Sequence, residues 1–293
     1  MRQLVILSGK GGTGKTTVAS AFIRLSGTRA CADCDVDAPN LHLVNGRFDS
    51  HQSVPYIGLP GADIDPALCF ACGACANACR FDAITPGMPY QVNPYACEGC
   101  GVCALVCPAD AIRMKERQAG RMTLYRRDDA VFSTAILSTG SGTSGLLVSQ
   151  VKKRMKEAAR GDIAFSIVDG SPGIGCPVIA TLSGADVTLI VTEPSLSGIS
   201  DLSRIVKTAR GFGVKIAVCI NKADINPQKT EDIRRYCEKE KLFYAGIIPY
   251  DPMAVEAVNQ GLTIADIPCP SGAAVMEVYQ RILPLIESGQ AVC

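Results

Sequence analysis

The chain has 293 residues, is 47% hydrophobic and carries a net charge of +1, with no long run of one sign. That size and apolar content suit one large α/β domain with room for a small addition, and the even charge advertises no nucleic-acid surface. No basic stretch leads into an apolar one as in a signal peptide, and no apolar run approaches a membrane span, so a cytoplasmic protein is expected. Its fifteen cysteines are too many for inert packing; in a cytoplasmic chain such clusters point to metal or redox chemistry rather than structural disulfides.

The first predicted strand is Leu4-Val5-Ile6-Leu7, followed by Ser8-Gly9-Lys10-Gly11-Gly12-Thr13-Gly14-Lys15-Thr16-Thr17 and a helix over 18–23. Residues 9–16 match G-x-x-x-x-G-K-[ST] between a strand and a helix, the context that this phosphate-loop pattern needs. Glycines let backbone N–H groups turn inward around phosphate oxygens, with a helix N-terminus behind them. Gly11, Gly12, Thr13, Gly14, Lys15, Thr16 and Thr17 are the expected nucleotide cradle. Lys15 is placed to reach the β- and γ-phosphates and the Thr16 hydroxyl to bind Mg²⁺. A glycine-rich turn without a ligand is the bland alternative.

A second lysine, Lys10 in Gly9-Lys10-Gly11-Gly12, makes the chain resemble the deviant phosphate-loop class of MinD, ParA, Mrp and the nitrogenase iron protein. The resemblance implies an ATPase that forms a homodimer on ATP binding, with Lys10 crossing to the partner's nucleotide. Next in the chain, Asp33-Cys34-Asp35-Val36-Asp37 closes a short strand, and acidic strand ends belong at the ligand-binding edge of a parallel sheet. The segment resembles switch I of that class, which implies that Asp35 orients the attacking water and touches Mg²⁺. Asp33 and Asp37 also read as a strand-end charge and a helix cap. Cys31 and Cys34 have opposite parity on a strand, so they should pack on different faces rather than share a metal. His42 and His51, the only two histidines, read as surface or loop residues.

Gly58-Leu59-Pro60-Gly61 marks a composition break, beyond which the chain turns short-segmented and cysteine-dense. Cys69, Cys72, Cys75 and Cys79 have the spacing C-x₂-C-x₂-C-x₃-C, and Cys97, Cys100, Cys103 and Cys107 repeat it with Pro108 next. The flanks repeat too: Arg80-Phe81-Asp82-Ala83-Ile84 answers Pro108-Ala109-Asp110-Ala111-Ile112. Both halves match the bacterial ferredoxin run, in which three close thiolates hold one cube and the fourth cysteine ligates the other. One [4Fe–4S] cluster is therefore expected on Cys69, Cys72, Cys75 and Cys107, and a second on Cys79, Cys97, Cys100 and Cys103. Arg80 departs from the proline usual after the fourth cysteine, without altering the ligand count. Zinc sites take two pairs of ligands and fit this spacing poorly.

The phosphate-loop pattern resumes with a strand at Ala135-Ile136-Leu137, a plain connecting loop over 138–145 and a helix over 146–159. A buried strand then ends at Asp169-Gly170-Ser171-Pro172-Gly173. An Asp closing an apolar strand fits the Walker B position, supporting Mg²⁺. The resemblance to switch II of the Mrp and MinD families implies that the Gly173 N–H senses the γ-phosphate. Cys176 follows where the nitrogenase iron protein has a ligand to a subunit-bridging cluster. The upstream stretch here, 138–150, offers no second cysteine, so Cys176 reads as a packed helix-start residue, with an extra cluster or redox thiol as the minority reading. Asn221-Lys222-Ala223-Asp224 matches the guanine-reading N-K-x-D. In the deviant class Asn221 reads adenine instead, so ATP is expected over GTP. Pro249 opens a loop resembling the one that packs on the base. Helices are expected over 198–210, 230–241 and 273–286, the last with an apolar stripe that docks on the domain. The terminal Cys293 is not placed as a prenylation box.

The expected fold class is α/β: a doubly wound, mainly parallel P-loop NTPase sheet over 1–62 and 117–293, interrupted by a small α+β bacterial-ferredoxin-like domain over 63–116. The resemblance implies an ATPase coupling a dimer switch to electron transfer through two [4Fe–4S] clusters, serving an unidentified redox or Fe–S client protein. An Mrp-type cluster carrier and a redox-sensing MinD/ParA-like switch are the alternatives.

Overall fold

The computed structural model describes residues 1–44, 48–142 and 144–288; Cys293 lies outside them. The chain opens with β1 (Arg2–Ser8), α1 (Lys15–Ser26), β2 (Ala30–Asp33), a 3-10 turn at Leu41–Leu43 and β3 (Ser50–Ile57). Short elements follow: β4 (Gly61–Ile64), α2 (Ala74–Ala78), β5 (Ile84–Thr85), β6 (Gln91–Val92), α3 (Val102–Leu105) and β7 (Ile112–Lys115). Longer ones then resume with β8 (Gln118–Arg127), β9 (Ala130–Leu137), α4 (Ser144–Ala158), β10 (Phe165–Pro172), α5 (Cys176–Leu182) and β11 (Val187–Thr192). The last are α6 (Leu196–Arg210), β12 (Lys215–Asn221), α7 (Pro227–Lys239), β13 (Phe243–Ile248), α8 (Met253–Asn259) and α9 (Pro270–Glu287).

Among the described residues nine strands form one sheet in the order β13-β12-β11-β1-β10-β2-β9-β8-β3. From β13 to β9 the neighbours run parallel, and their near-continuous apolar runs suit a sheet covered on both faces. One face carries α4, α5, α6 and α7 over Val5, Leu7, Val168, Ile190 and Val218; the other carries α1 and α9 over Leu4, Ile6, Ile167, Leu189 and Ala217. Cys31 packs in the second core and Cys34 in the first. Burial pushes the Cys34 and Cys219 thiols well up from their ordinary value, Cys219 to about 12, so neither supplies a thiolate.

The parallel sheet is extended by two antiparallel strands, β8 and β3. The sheet thus resumes at Gln118, well before the Ala135-Ile136-Leu137 strand expected from the sequence. β8 buries Met122 and Leu124 on one face, the alternation of a half-covered antiparallel strand; Ala119 is buried beside the register shift opposite Tyr56 and Ile57. β3 is polar and carries Pro55, which only an edge strand tolerates. Because Ile57 pairs with Gln118, the segment between them leaves and re-enters the sheet at adjacent points. That segment makes two small sheets of its own, β4 with β7 and β5 with β6. Its duplication extends to the backbone: Ala71 and Gly99, Gly73 and Gly101, Asp82 and Asp110 are left-handed pairs at equivalent positions of the two halves.

A buried cation clamps the helix after the 169–173 segment. Lys152 of α4 donates to the carbonyls of Ala180, Thr181 and Ser183 at the end of α5. These would otherwise be unpaired helix-end acceptors. Burial lowers the Lys152 ammonium to about 8.

Candidate functional site

The loop between β1 and α1 lies where the sheet order reverses around its first strand, the position at which open α/β sheets bind ligands. Gly12 and Gly14 hold left-handed φ angles of 80° and 88°. A Cβ on Gly11, Gly12 or Gly173 would meet no heavy atom within 4 Å, so these backbones border open space. A Cβ on Gly14, by contrast, would strike the Asn221 amide at 2.1 Å, and that amide donates to the Thr13 carbonyl at 2.8 Å. Asn221 therefore braces the loop from the end of β12.

Lys15, Thr16, Asp35 and Asp169 converge. Lys15 Nζ donates to Asp169 Oδ1 at 2.6 Å and lies 3.8 Å from Asp35 Oδ2; the Thr16 hydroxyl donates to Asp169 Oδ2 at 2.6 Å. Burial opposes the Lys15 charge, but Asp169, with Asp35 and Asp33, outweighs it and holds the ammonium above its ordinary value. Burial also raises the Asp35 carboxyl, with Lys15 pulling it down and Asp169 and Asp37 pushing it up. The Gly173 N–H donates to the Ser8 carbonyl at 2.9 Å. Reaching a γ-phosphate, its expected role, requires exchanging that bond.

Lys10 is folded onto its own chain, 2.5 Å from Glu193 Oε1 and donating to the Ser197 hydroxyl at 3.0 Å. Lys222 approaches the same carboxylate, 4.0 Å from Glu193 Oε2, and donates to the Gly12 carbonyl at 2.9 Å. Beyond Gly14 a cavity of about 330 Å³ is lined by Thr17, Asn221, Ile248, Pro249 and Tyr250. Asp224 does not line it; its Oδ1 takes the Tyr250 N–H at 2.6 Å, tying down the loop that Pro249 opens.

Sequence reasoning undervalued Asp33. It is fully buried and accepts the N–H groups of Asp35, Asn40 and Leu41 at 3.0 Å each. It therefore shapes the loop that carries Asp35. Burial, then repulsion from Asp169, pushes its carboxyl up to about 7. The acidic run showed that something charged stood here, but not which carboxylate faced inward. Glu193, which pairs with Lys10, follows the end of β11 with no motif around it to mark it.

The eight clustered cysteines fall into two cavities. Cys79, Cys97, Cys100 and Cys103 line one, with Phe81, Ile84 and Val92; Cys69, Cys72, Cys75 and Cys107 line the other, with Phe70, Tyr90 and Ile112. Each cavity thus draws its fourth thiol from the other half of the repeat. The Ala111 N–H donates to Cys107 Sγ at 3.3 Å. Among the described residues no three His, Cys, Asp or Glu are gathered tightly enough to share a single metal ion. Cys176 is exposed at the start of α5. Among the described residues no helix is long and apolar enough to cross a membrane.

Comparison with known proteins places this geometry. The chain is 30% identical over 291 residues to the uncharacterized protein MJ0578 of Methanocaldococcus jannaschii, covering 97% of each. It is 24% identical to the iron-sulfur cluster carrier protein of Pyrococcus furiosus, over 96% of this chain and 85% of that one. Its fold matches the septum site-determining protein MinD complexed with Mg-ADP from Pyrococcus horikoshii, with a TM-score of 0.57, 19% identity and 99% coverage of both chains. The family model CbiA, the CobQ/CobB/MinD/ParA nucleotide binding domain, matches residues 4–264. With its phosphate loop, Asp35 and Asp169 gathered at the edge of a mainly parallel sheet, the chain belongs to the CobQ/CobB/MinD/ParA nucleotide-binding family.

Proposed function

We propose that the chain is an ATP-binding and ATP-hydrolysing iron–sulfur protein that couples a nucleotide-driven dimer switch to electron transfer through two [4Fe–4S] clusters. The observation that carries this reading is the crossed partition of eight thiols into two cavities, within a chain whose remainder is a MinD/ParA-type nucleotide domain. The donor set fits: four sulfurs per cavity, with largely apolar walls and a backbone N–H aimed at one sulfur. Clusters held there supply one-electron transfer, tuned by hydrogen bonds to sulfur and by solvent exposure. The proposed division is a ferredoxin-like module over 63–116 within an ATPase over 1–62 and 117–293.

On the nucleotide side, Lys15 exchanges Asp169 for the β- and γ-phosphates, which frees Asp169 to support Mg²⁺ with Thr16. Asp35 orients the attacking water. Lys10 leaves Glu193 and Ser197 for the nucleotide of a second copy. Phosphoryl transfer depends mainly on such positioning and charge stabilisation.

The base is adenine in this reading, because Asn221 lines the cavity beyond Gly14 while Asp224 does not and is tied to the Tyr250 N–H. Asp224→Ala should weaken ATP and GTP alike, by a few-fold, through a loosened base loop. A wild-type preference for GTP that this substitution abolishes, measured by competitive binding, contradicts the assignment.

A cluster carrier is the second reading, favoured by the near full-length similarity to a protein named for that role and by the exposed Cys176. Iron and sulfide counted per chain before and after many ATP turnovers, with a cluster-free acceptor protein present, separate the two. Constant content is expected for an electron carrier; loss to the acceptor overturns it in favour of the carrier. The redox or client partner is identified by co-purification from the native host under anoxic conditions.

A further inference from the structure

The two cysteine sets, equivalent by repeat, are not equivalent in their surroundings. The loop carrying Cys97 and Cys100 is packed on the nucleotide half at several points. Arg117, just ahead of β8, donates to the carbonyls of Pro94 and Cys97. A Cβ on Gly99 would meet the Pro60 carbonyl at 2.3 Å, so the turn between the two cysteines sits directly on the strand connection. On the far side, a Cβ on Gly140 would meet the Tyr95 ring at 3.2 Å, and one on Gly142 the Glu98 carboxylate at 2.8 Å. In the Cys69 loop Ala71 stands at the place of Gly99, and a Cβ on Gly73, the counterpart of Gly101, would meet the Tyr90 hydroxyl at 3.2 Å, within the cysteine-rich segment itself.

The glycine-rich stretch that touches Tyr95 and Glu98 runs directly into α4, and there it touches the nucleotide switch. A Cβ on Gly145 would lie 3.1 Å from Cys176 Cβ and 3.2 Å from its carbonyl oxygen. Cys176 begins α5, three residues after Gly173, whose N–H is held by Ser8 at the phosphate loop. The Gly145 approach is to Cys176 backbone and the Gly140 approach includes the Tyr95 carbonyl at 3.5 Å, so a shift of the α5 start is passed to α4 and to the 93–101 loop through close packing, with the Glu98 carboxylate as the adjustable contact.

Resting on the reading of the chain as a nucleotide switch with two cluster sites, we propose that these sites have unequal roles. The set Cys79, Cys97, Cys100 and Cys103 is the nucleotide-responsive one. Tyr95 and Glu98 are its positioning residues, linked through Gly140, Gly142 and Gly145 to Cys176 and the switch segment. The set Cys69, Cys72, Cys75 and Cys107 stands outside this path and is the one left to meet the redox partner unchanged by nucleotide.

The repeat supplies its own control, because residues 65–73 and 93–101 are equivalent loops of one molecule. Hydrogen–deuterium exchange is followed by mass spectrometry on the full chain, purified anoxically, with and without Mg²⁺-ATP. ATP should change exchange several-fold at 93–101 and at the start of α4, and leave 65–73 within error. Tyr95→Ala combined with Glu98→Ala should abolish the change at 93–101 while ATP still protects the phosphate loop. Gly145→Ala, which inserts a methyl between α4 and Cys176 at a helical position, should do the same and guards against a fold defect in the double variant. Equal changes in the two loops, no change at 93–101 with the phosphate loop protected, or a change that survives both variants overturns the proposal. Failure of ATP to protect the phosphate loop instead overturns the nucleotide reading on which it rests.

Discussion

Lys10→Ala should still bind ATP yet lose ATP-dependent dimerisation and hydrolysis, whereas Asp35→Ala should accumulate as an ATP-bound dimer that hydrolyses about 10²–10⁴-fold more slowly. The contrast follows from where the two side chains stand. Lys10 lies at the rim, 36% exposed and paired with Glu193. An exposed pair of this kind contributes about 0–1 kcal/mol, so its release to a partner's nucleotide is cheap and its removal leaves the monomer stable. Lys15, Thr16 and Asp169, which build the nucleotide's own site, are untouched in that variant. Asp35 stands inside, half-buried and 3.8 Å from Lys15. Removing it leaves the phosphate cradle and the dimer surface in place but takes away the group that holds water for attack. Since placement supplies much of the rate in such reactions, a large loss is expected from one missing carboxylate. Equilibrium ATP binding, sedimentation with and without nucleotide, and phosphate release measure the three properties separately. A Lys10→Ala protein that dimerises and hydrolyses normally contradicts the assignment of Lys10.

The second large effect concerns iron content, and it tests the crossing of the ligands. Anoxic protein should carry about eight iron and eight sulfide per chain. Cys72→Ser should leave about four of each, and so should the combination of Cys72→Ser with Cys107→Ser, because both thiols line one cavity. Combining Cys72→Ser with Cys79→Ser should leave almost none, although both residues belong to the same half of the repeat. If each half held its own cluster, these two double variants would give the opposite results. Stoichiometric zinc without sulfide contradicts both arrangements.

What the sequence disclosed was local, or was repeated. The phosphate loop, its flanking strand and helix, and the cysteine spacing are each contained in a short stretch whose geometry has few solutions. The apolar runs that became β1 and β10 were legible because a sheet covered on both faces demands them. β3 was not, since an edge strand of polar residues around Pro55 carries no such signature. The weaker alternation in β8 was overlooked beside the cysteine pattern. At the site, the acidic run 33–37 was visible, but the inward turn of Asp33 onto three backbone N–H groups depends on how the loop closes over it. The hold of Glu193 and Ser197 on Lys10 joins residues far apart in the chain, which no spacing rule connects. Nor did the sequence indicate that Gly140, Gly142 and Gly145 would touch Tyr95, Glu98 and Cys176.

The central claim is that nucleotide state and cluster chemistry are coupled within one chain, and a redox titration tests it most directly. Wild-type protein without nucleotide and Asp35→Ala protein with Mg²⁺-ATP are titrated in parallel by electron paramagnetic resonance. Nucleotide-free Asp35→Ala serves as the control for the substitution itself. Coupling between sites of about 1–3 kcal/mol corresponds to about 40–130 mV for a one-electron couple, well within reach of the method. A shift of that order, appearing only with ATP, is the predicted result. Superimposable curves from an ATP-loaded dimer would show the cysteine-rich segment to be a passenger on the nucleotide switch, and would contradict the account.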